Sequence, residues 1–181
     1  MAGDKKYSTS IFIVAITLVV AVLVLSYGYS IVQELAVAED VDEEVREHLV
    51  AIYGEDASFS EFEYEGEVFY AAREAGDTIG VAHTGSGSGY GGDIYVLTGI
   101  DRTGEIVGIA VKDHQETPDL GDRVEDDDFR ERFVGLALND PIEIGDDVSG
   151  LTGATVSAEG VAEAVRSSVQ KAFDAMQSGE Y

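Results

Sequence analysis

Hydrophobic positions change their spacing several times along this chain, and each spacing predicts a different element. From Ile11 to Val32 the residues "IFIVAITLVVAVLVLSYGYSIV" run for 22 positions without a charge. At the helical rise that is about 33 Å, enough to cross a hydrocarbon core of roughly 30 Å. Apolar residues then return at three-to-four spacing. Leu35, Val41, Val45, Leu49 and Ile52 predict an amphipathic helix over Glu34 to Tyr53, stopped by Gly54. Next the pattern shortens to that of strands. "FEYEGEVFYAARE" reads as a hairpin turning near Glu65–Gly66, and Thr78 to His83 as a further strand that ends in a glycine-rich loop, Thr84 to Gly92. Ile94 to Ile100 and Glu105 to Val111 flank a turn at Asp101–Gly104 and predict a second hairpin. Pro118 interrupts the strand pattern, "DDDFRERFVGLAL" predicts a short helix with an acidic start, and Ile142 to Ile144 a last short strand. Val156 to Gln177 predicts a terminal helix with Glu159 in its first turn. Its buried stripe is Val161, Ala164, Val165, Ser168, Ala172 and Phe173. Strands in runs, with helices before and after, make the expected fold α+β, with a mainly antiparallel sheet and flanking helices.

This pattern divides the chain into a short N-terminus (1–10), a transmembrane helix (11–32) and one exported domain (33–181). Lys5 and Lys6 precede the apolar run, while Glu34, Glu39, Asp40 and Asp42 come after it. The positive-inside rule therefore places the N-terminus in the cytoplasm and everything after Val32 outside, a single pass through the cell membrane. Tyr27 and Tyr29 sit where an outer interface anchor belongs. A cleaved signal peptide is the rival reading, and "AVAE", Ala36 to Glu39, has the small residues of a cleavage site. The apolar run is well beyond the roughly 7–15 residues of such a signal, which favours a retained anchor. The run holds no ionisable group, so it offers no ion pathway of its own.

Charge narrows the function classes. Lys and Arg number 11 against 36 Asp and Glu, a net charge of −25. Such a surface repels nucleic acid and anionic headgroups, which excludes both as partners. With four lysines against seven arginines, it has the character of a protein adapted to concentrated salt, where the Debye length falls to about 3 Å. The acidic clusters Asp126–Asp128 and Asp146–Asp147 lack the ligand spacing of a calcium loop. The absence of cysteine excludes disulfides, thiolate clusters and Cys-ligated zinc, and His48, His83 and His114 form no metal-binding pair, so no metal site is expected. If such a chain moves electrons, an organic cofactor must carry them.

Three segments have the residues for cofactor chemistry. "GSGSGYGG", Gly85 to Gly92, offers backbone that a ring or a phosphate can approach closely, although glycine loops are usually plain turns. "HQETPDLGDR", His114 to Arg123, is a stiff loop carrying His114, Glu116 and Thr117, or a turn with incidental polar residues. "TGATVS", Thr152 to Ser157, puts two threonine hydroxyls among small residues at a helix entrance. Taken alone it is an ordinary helix start that Thr155 or Ser157 caps.

In this order and behind one N-terminal anchor, the segments resemble the FMN-binding domain shared by the G subunit of the Rnf electron-transport complex and the C subunit of the sodium-pumping NADH:quinone reductase. The matching residues are Gly89-Tyr90-Gly91-Gly92, then His114, Glu116, Thr117, Pro118, Leu120 and Gly121, and last Thr152 to Thr155. The resemblance implies covalent FMN, its phosphate esterified to Thr155, with Thr152 and Ser157 as alternative acceptors. A hydroxyl at a helix entrance suits that link, because free amides and the dipole stabilise a phosphate there. Gly153 and Ala154 would leave room for the ribityl chain. Glu116, Thr117, Leu120 and Gly121 would line the ring, and Tyr90 with Gly91 would cover it. The resemblance also implies an electron-transfer subunit that is not an autonomous catalyst, so no catalytic residue is named and His114 is a structural residue at a strand end. Its partners would be the other membrane subunits of a ferredoxin/NAD complex coupled to ion translocation, and a flavin transferase during maturation. The alternatives are membership of a quinone-reductase complex, a stand-alone anchored FMN protein and a non-redox binding or assembly module. Two positions depart from the family pattern. Ser149 stands where an aspartate often lies six residues before the acceptor, with Asp146 and Asp147 nearby, and Asp119 replaces a glycine, which positive φ would permit.

Overall fold

The computed structural model describes residues 20–22, 41–179 and 181. Residues 20–22 are helical. The rest of the apolar run and residues 34–40 of the helix expected from Glu34 lie outside the described residues, and within them that helix begins only at Glu43. Among those described, no helix is long and apolar enough to cross a membrane. Asp40–Tyr181 forms one compact unit.

Helix α1, Glu43–Tyr53, begins where the Asp42 side chain accepts a hydrogen bond from the Glu44 amide (3.0 Å). That satisfies one of the free donors of the first turn. It ends at Gly54, whose φ is 97°. Five strands come next: β1 (Ser58–Tyr64), β2 (Glu67–Glu74), β3 (Asp77–Ser88), β4 (Asp93–Asp101) and β5 (Ile106–Asp113). Each pairs antiparallel with its neighbour in sequence, so the sheet is a meander in the order β1-β2-β3-β4-β5. The turns lie where the sequence put them. Glu65 and Gly66 both take positive φ (52° and 82°), the conformation that suits a two-residue hairpin turn. At the second hairpin, Asp101 Oδ1 accepts from the amides of Thr103 and Glu105 and holds the turn closed.

Period-two geometry splits adjacent apolar residues between the two faces of the sheet. Phe69, Val81 and Val96 face the C-terminal helix α3, Thr155–Ser178, which lies across β3 and β4. Tyr70, Ala82 and Leu97 face α1, packing with Val45 and Leu49. The central strands thus read as continuous apolar runs because both of their sides are covered.

The structure alters several expectations. The glycine-rich run is not a loop until Gly89: β3 continues through Ser88. Its glycines serve packing, since a Cβ at Gly85 would stand 2.3 Å from the Ala164 carbonyl oxygen, and one at Gly87 2.0 Å from that of Gly160. Helix α3 therefore rests almost backbone to backbone on β3. Ile142–Ile144 is no strand. Ile142 has φ +50°, and the segment makes only an isolated bridge between Ile144 and Val148. The helix expected from Asp126 is broken into a single α-turn, α2 (Asp127–Arg130), and a 3-10 turn (Glu131–Phe133), with another 3-10 turn (Asp122–Glu125) just before it. Glu159 falls just beyond the first turn of α3, which holds no acidic residue.

Candidate functional site

Three loops meet above the start of α3, and each is shaped by its own local chemistry. After β5, Pro118 leads a tight turn in which the Thr117 carbonyl accepts from the amides of Leu120 (3.2 Å) and Gly121 (2.9 Å). Asp119 closes that turn at φ +61°, a conformation aspartate tolerates better than most residues, so its replacement of glycine leaves the loop intact. The turn lifts Leu120 outward, leaving it 44% exposed. The second loop, 89–92, carries Tyr90, which projects into solvent at 77% exposure. The third, 149–154, delivers the chain to α3. Gly153 there takes φ +85°, and Ala154 is the residue before the helix.

Between these loops lies a cleft of about 320 Å³ with mostly apolar walls, lined by Tyr90, Glu116, Thr117, Leu120, Gly121, Gly153, Ala154, Thr155, Val156 and Ser157. Eight of the ten residues expected from the sequence therefore converge. Two do not line it. Gly91 lies beneath, its amide donating to Glu116 Oε1 (3.0 Å). Thr152 is held from behind, its carbonyl accepting from Arg123 Nη1 (3.4 Å). Val156, 46% exposed, also lines the cleft and was not foreseen, since a single exposed apolar residue is ordinary.

The helix start has an open capacity for hydrogen bonding. Ala154 occupies the capping position and no side chain caps α3, contrary to the ordinary helix start that Thr155 or Ser157 would make. Its first amides and positive dipole end are turned to the mouth of the cleft, where Thr155 is exposed. Ser157 is buried instead and its hydroxyl donates to Glu116 Oε2 (2.6 Å), which makes it a poor acceptor for a bulky group. Among the described residues, no Lys, Arg or His lines the cleft. An anion at Thr155 would be met by amides and the dipole rather than by a cation.

His114 behaves as a strand-end brace. Its Nδ1 accepts from the Glu116 amide (3.1 Å) and its Nε2 donates to Glu125 Oε1 (2.8 Å). Ser149, at the position of the family's frequent aspartate, is fixed through its main chain: Arg132 Nη1 donates to the carbonyls of Ser149 (2.8 Å) and Gly150 (2.9 Å). Asp147 is also committed. Partial burial opposes its charge, but hydrogen bonds from the amides of Glu143 (2.7 Å) and Ile142 (2.8 Å) outweigh that and hold its carboxyl below the usual range.

Residues 89–170 match the FMN-binding domain. The matched span starts at the loop that carries Tyr90, includes the turn at Pro118, and ends inside α3, so it encloses the whole cleft. Among relatives, the G subunit of the ion-translocating oxidoreductase complex of Shewanella piezotolerans is 30% identical over 135 residues, 69% of this chain and 62% of that protein. The chain thus spans under two thirds of the length of that relative. The G subunit of the proton-translocating ferredoxin:NAD(+) oxidoreductase complex of Clostridium ljungdahlii is 25% identical over 180 residues, 94% and 96% of the two chains. The crystal structure of Shewanella oneidensis NqrC shares the fold, with a TM-score of 0.54 and 23% identity over 77% of this chain and 78% of that one. The site residues fit the family's cofactor. The cleft offers apolar walls on two sides, a hydroxyl at its rim and uncapped helix amides beside that hydroxyl.

Proposed function

We propose that this chain is the electron-transferring flavoprotein subunit of an Rnf-type ion-translocating oxidoreductase complex, with FMN joined through its phosphate to Thr155. The observation that carries the proposal is the convergence of three separate segments around an exposed threonine at the uncapped start of α3. The match of 89–170 to the FMN-binding domain and the similarity to G subunits support it.

Bound there, FMN supplies the uptake and release of electrons. The chain's own residues hold, orient and shield. Thr155 Oγ would carry the phosphate ester, with the first amides of α3 stabilising its negative charge. Gly153, at φ +85°, leaves the approach to Thr155 free of side chain. Leu120 and Val156 present apolar surface to a planar ring, and Tyr90 can cover its outer face. Electron relay requires no proton-transfer base, which agrees with His114 being spent on structure.

In this reading residues 11–32 anchor the chain and residues 33–181 work on the extracytoplasmic side. The other membrane subunits form the ion path, and a flavin transferase loads Thr155. Intact mass tests the proposal. The full chain, made beside its transferase, is expected to be heavier by one esterified FMN, and Thr155→Ala to lack that mass while keeping its fold. An unmodified wild-type chain, or a Thr155→Ala variant that keeps the adduct, refutes the assignment.

A further inference from the structure

Glu116 is 7% exposed and stands on the floor of the cleft. Its carboxylate accepts from Ser157 Oγ at 2.6 Å and from the Gly91 amide at 3.0 Å. Both donors are neutral, and among the described residues no Lys, Arg or His forms an ion pair with it. A buried carboxylate is costly and is normally paired with a cation, so an unpaired one needs a reason. Space has been kept for it. A Cβ at Gly89 would lie 2.2 Å from Oε1, and one at Gly121 2.4 Å from Oε2. Two chain segments thus give up side chains to seat one charge.

We infer that Glu116 is a tuning residue: its buried carboxylate lowers the reduction potential of the flavin held above it. The inference rests on the proposed FMN site and adds a role to it. Reduction brings negative charge onto the ring, and a fixed negative charge across the cleft opposes that. The many acids on the surface, Asp119 among them, face water and are screened over a few ångströms in strong salt. Glu116, buried beside the cleft, is screened far less than these, so its charge acts on the cleft even in strong salt. Ser157, by donating to Oε2, disperses part of the charge and moderates the effect.

The test is a redox titration of the flavin-loaded full chain at low salt and at about 1 M salt. Glu116→Gln keeps an acceptor for the Gly91 amide and removes the charge. Its midpoint potential is expected to move positive by at least a tenfold change in the reduced-to-oxidised ratio, about 30 mV for a two-electron couple, and to keep that shift at high salt. Ser157→Ala leaves the carboxylate with one donor fewer and is expected to move the potential the other way. A Gln variant whose potential equals that of the wild type, or whose shift vanishes in salt, overturns the inference while the flavin mass on Thr155 stands. If the Gln variant fails to load flavin, an unchanged potential in Ser157→Ala overturns it instead. A wild-type chain without flavin removes both the site and this role.

Discussion

Substituting alanine at Gly87 tests the central packing of the domain. The new Cβ would stand 2.0 Å from the Gly160 carbonyl oxygen and 3.0 Å from the Ala164 amide nitrogen. Both obstacles are helix backbone, so no rotamer change relieves the clash, and α3 must move off β3 by about 1.5 Å to restore contact distance. Overpacking of a tight core costs about 1–3 kcal/mol, and a backbone obstacle places Gly87→Ala in the upper part of that range. Lower chain entropy in the unfolded state returns about 0.5–1 kcal/mol, leaving a net loss near 2 kcal/mol. For a domain of this size that lowers the melting midpoint by roughly 4–8 °C. Circular dichroism melts of Gly87→Ala beside Ser86→Ala provide the assay, because Ser86 lies on the same strand and is exposed. The serine variant is expected within about 0.5 kcal/mol of the wild type. Equal midpoints for the two variants would refute the close seating of α3. A destabilised Gly87→Ala should also load less FMN, since Gly160 comes after Thr155 by little more than one helical turn.

Charged side chains give two further outcomes. Burial pushes the His83 imidazole below its usual pKa, against the opposing pull of Glu67 at 2.8 Å. The unfolded chain then binds the extra proton, so the contribution of His83 is complete above about pH 6.5 and is lost as pH falls through that value. His83→Gln is expected to lower the difference in melting midpoint between pH 7.5 and pH 5.5, and an unchanged difference would show that the histidine is not buried neutral. Asp147→Ala deprives the Ile142 and Glu143 amides of a charged acceptor beside the positive φ of Ile142. It should cost about 2 kcal/mol in urea unfolding and speed proteolytic cleavage between residues 142 and 150. A loop as resistant as the wild type would show that the carboxylate does not hold it.

The sequence disclosed the strands best where turn chemistry punctuated them. Glu65–Gly66 and Asp101–Gly104 could be placed because left-handed backbone and an aspartate hydrogen-bonding forward are local requirements. The glycines of β3 were misplaced for the opposite reason. A glycine that makes room for a helix 75 residues further on looks no different from one that makes a turn. Ile142 gave no warning of its conformation, since β-branched residues ordinarily signal a strand, and Asp147, Arg166 and the core hold this one otherwise. At the site, the motif residues were legible one by one, and eight of them line one cleft. That Glu116 would lie on the floor depends on tertiary burial, and that the Thr152 carbonyl would meet Arg123 depends on a contact 29 residues apart in sequence, neither of which a local pattern encodes.

The sequential order of the strands has a consequence for assembly. Each strand finds its partner immediately before it in the chain, so the sheet can zip from one end as the polypeptide is delivered, with short loops to close at every step. Helix α3 departs from this rule. It is made after all five strands, yet it docks on the middle of the sheet. Until it arrives, the apolar face around Val81 and Val96 stays wet and the cleft has no far wall, so Thr155 is set beside that cleft only in a chain whose hydrophobic interior is already sealed.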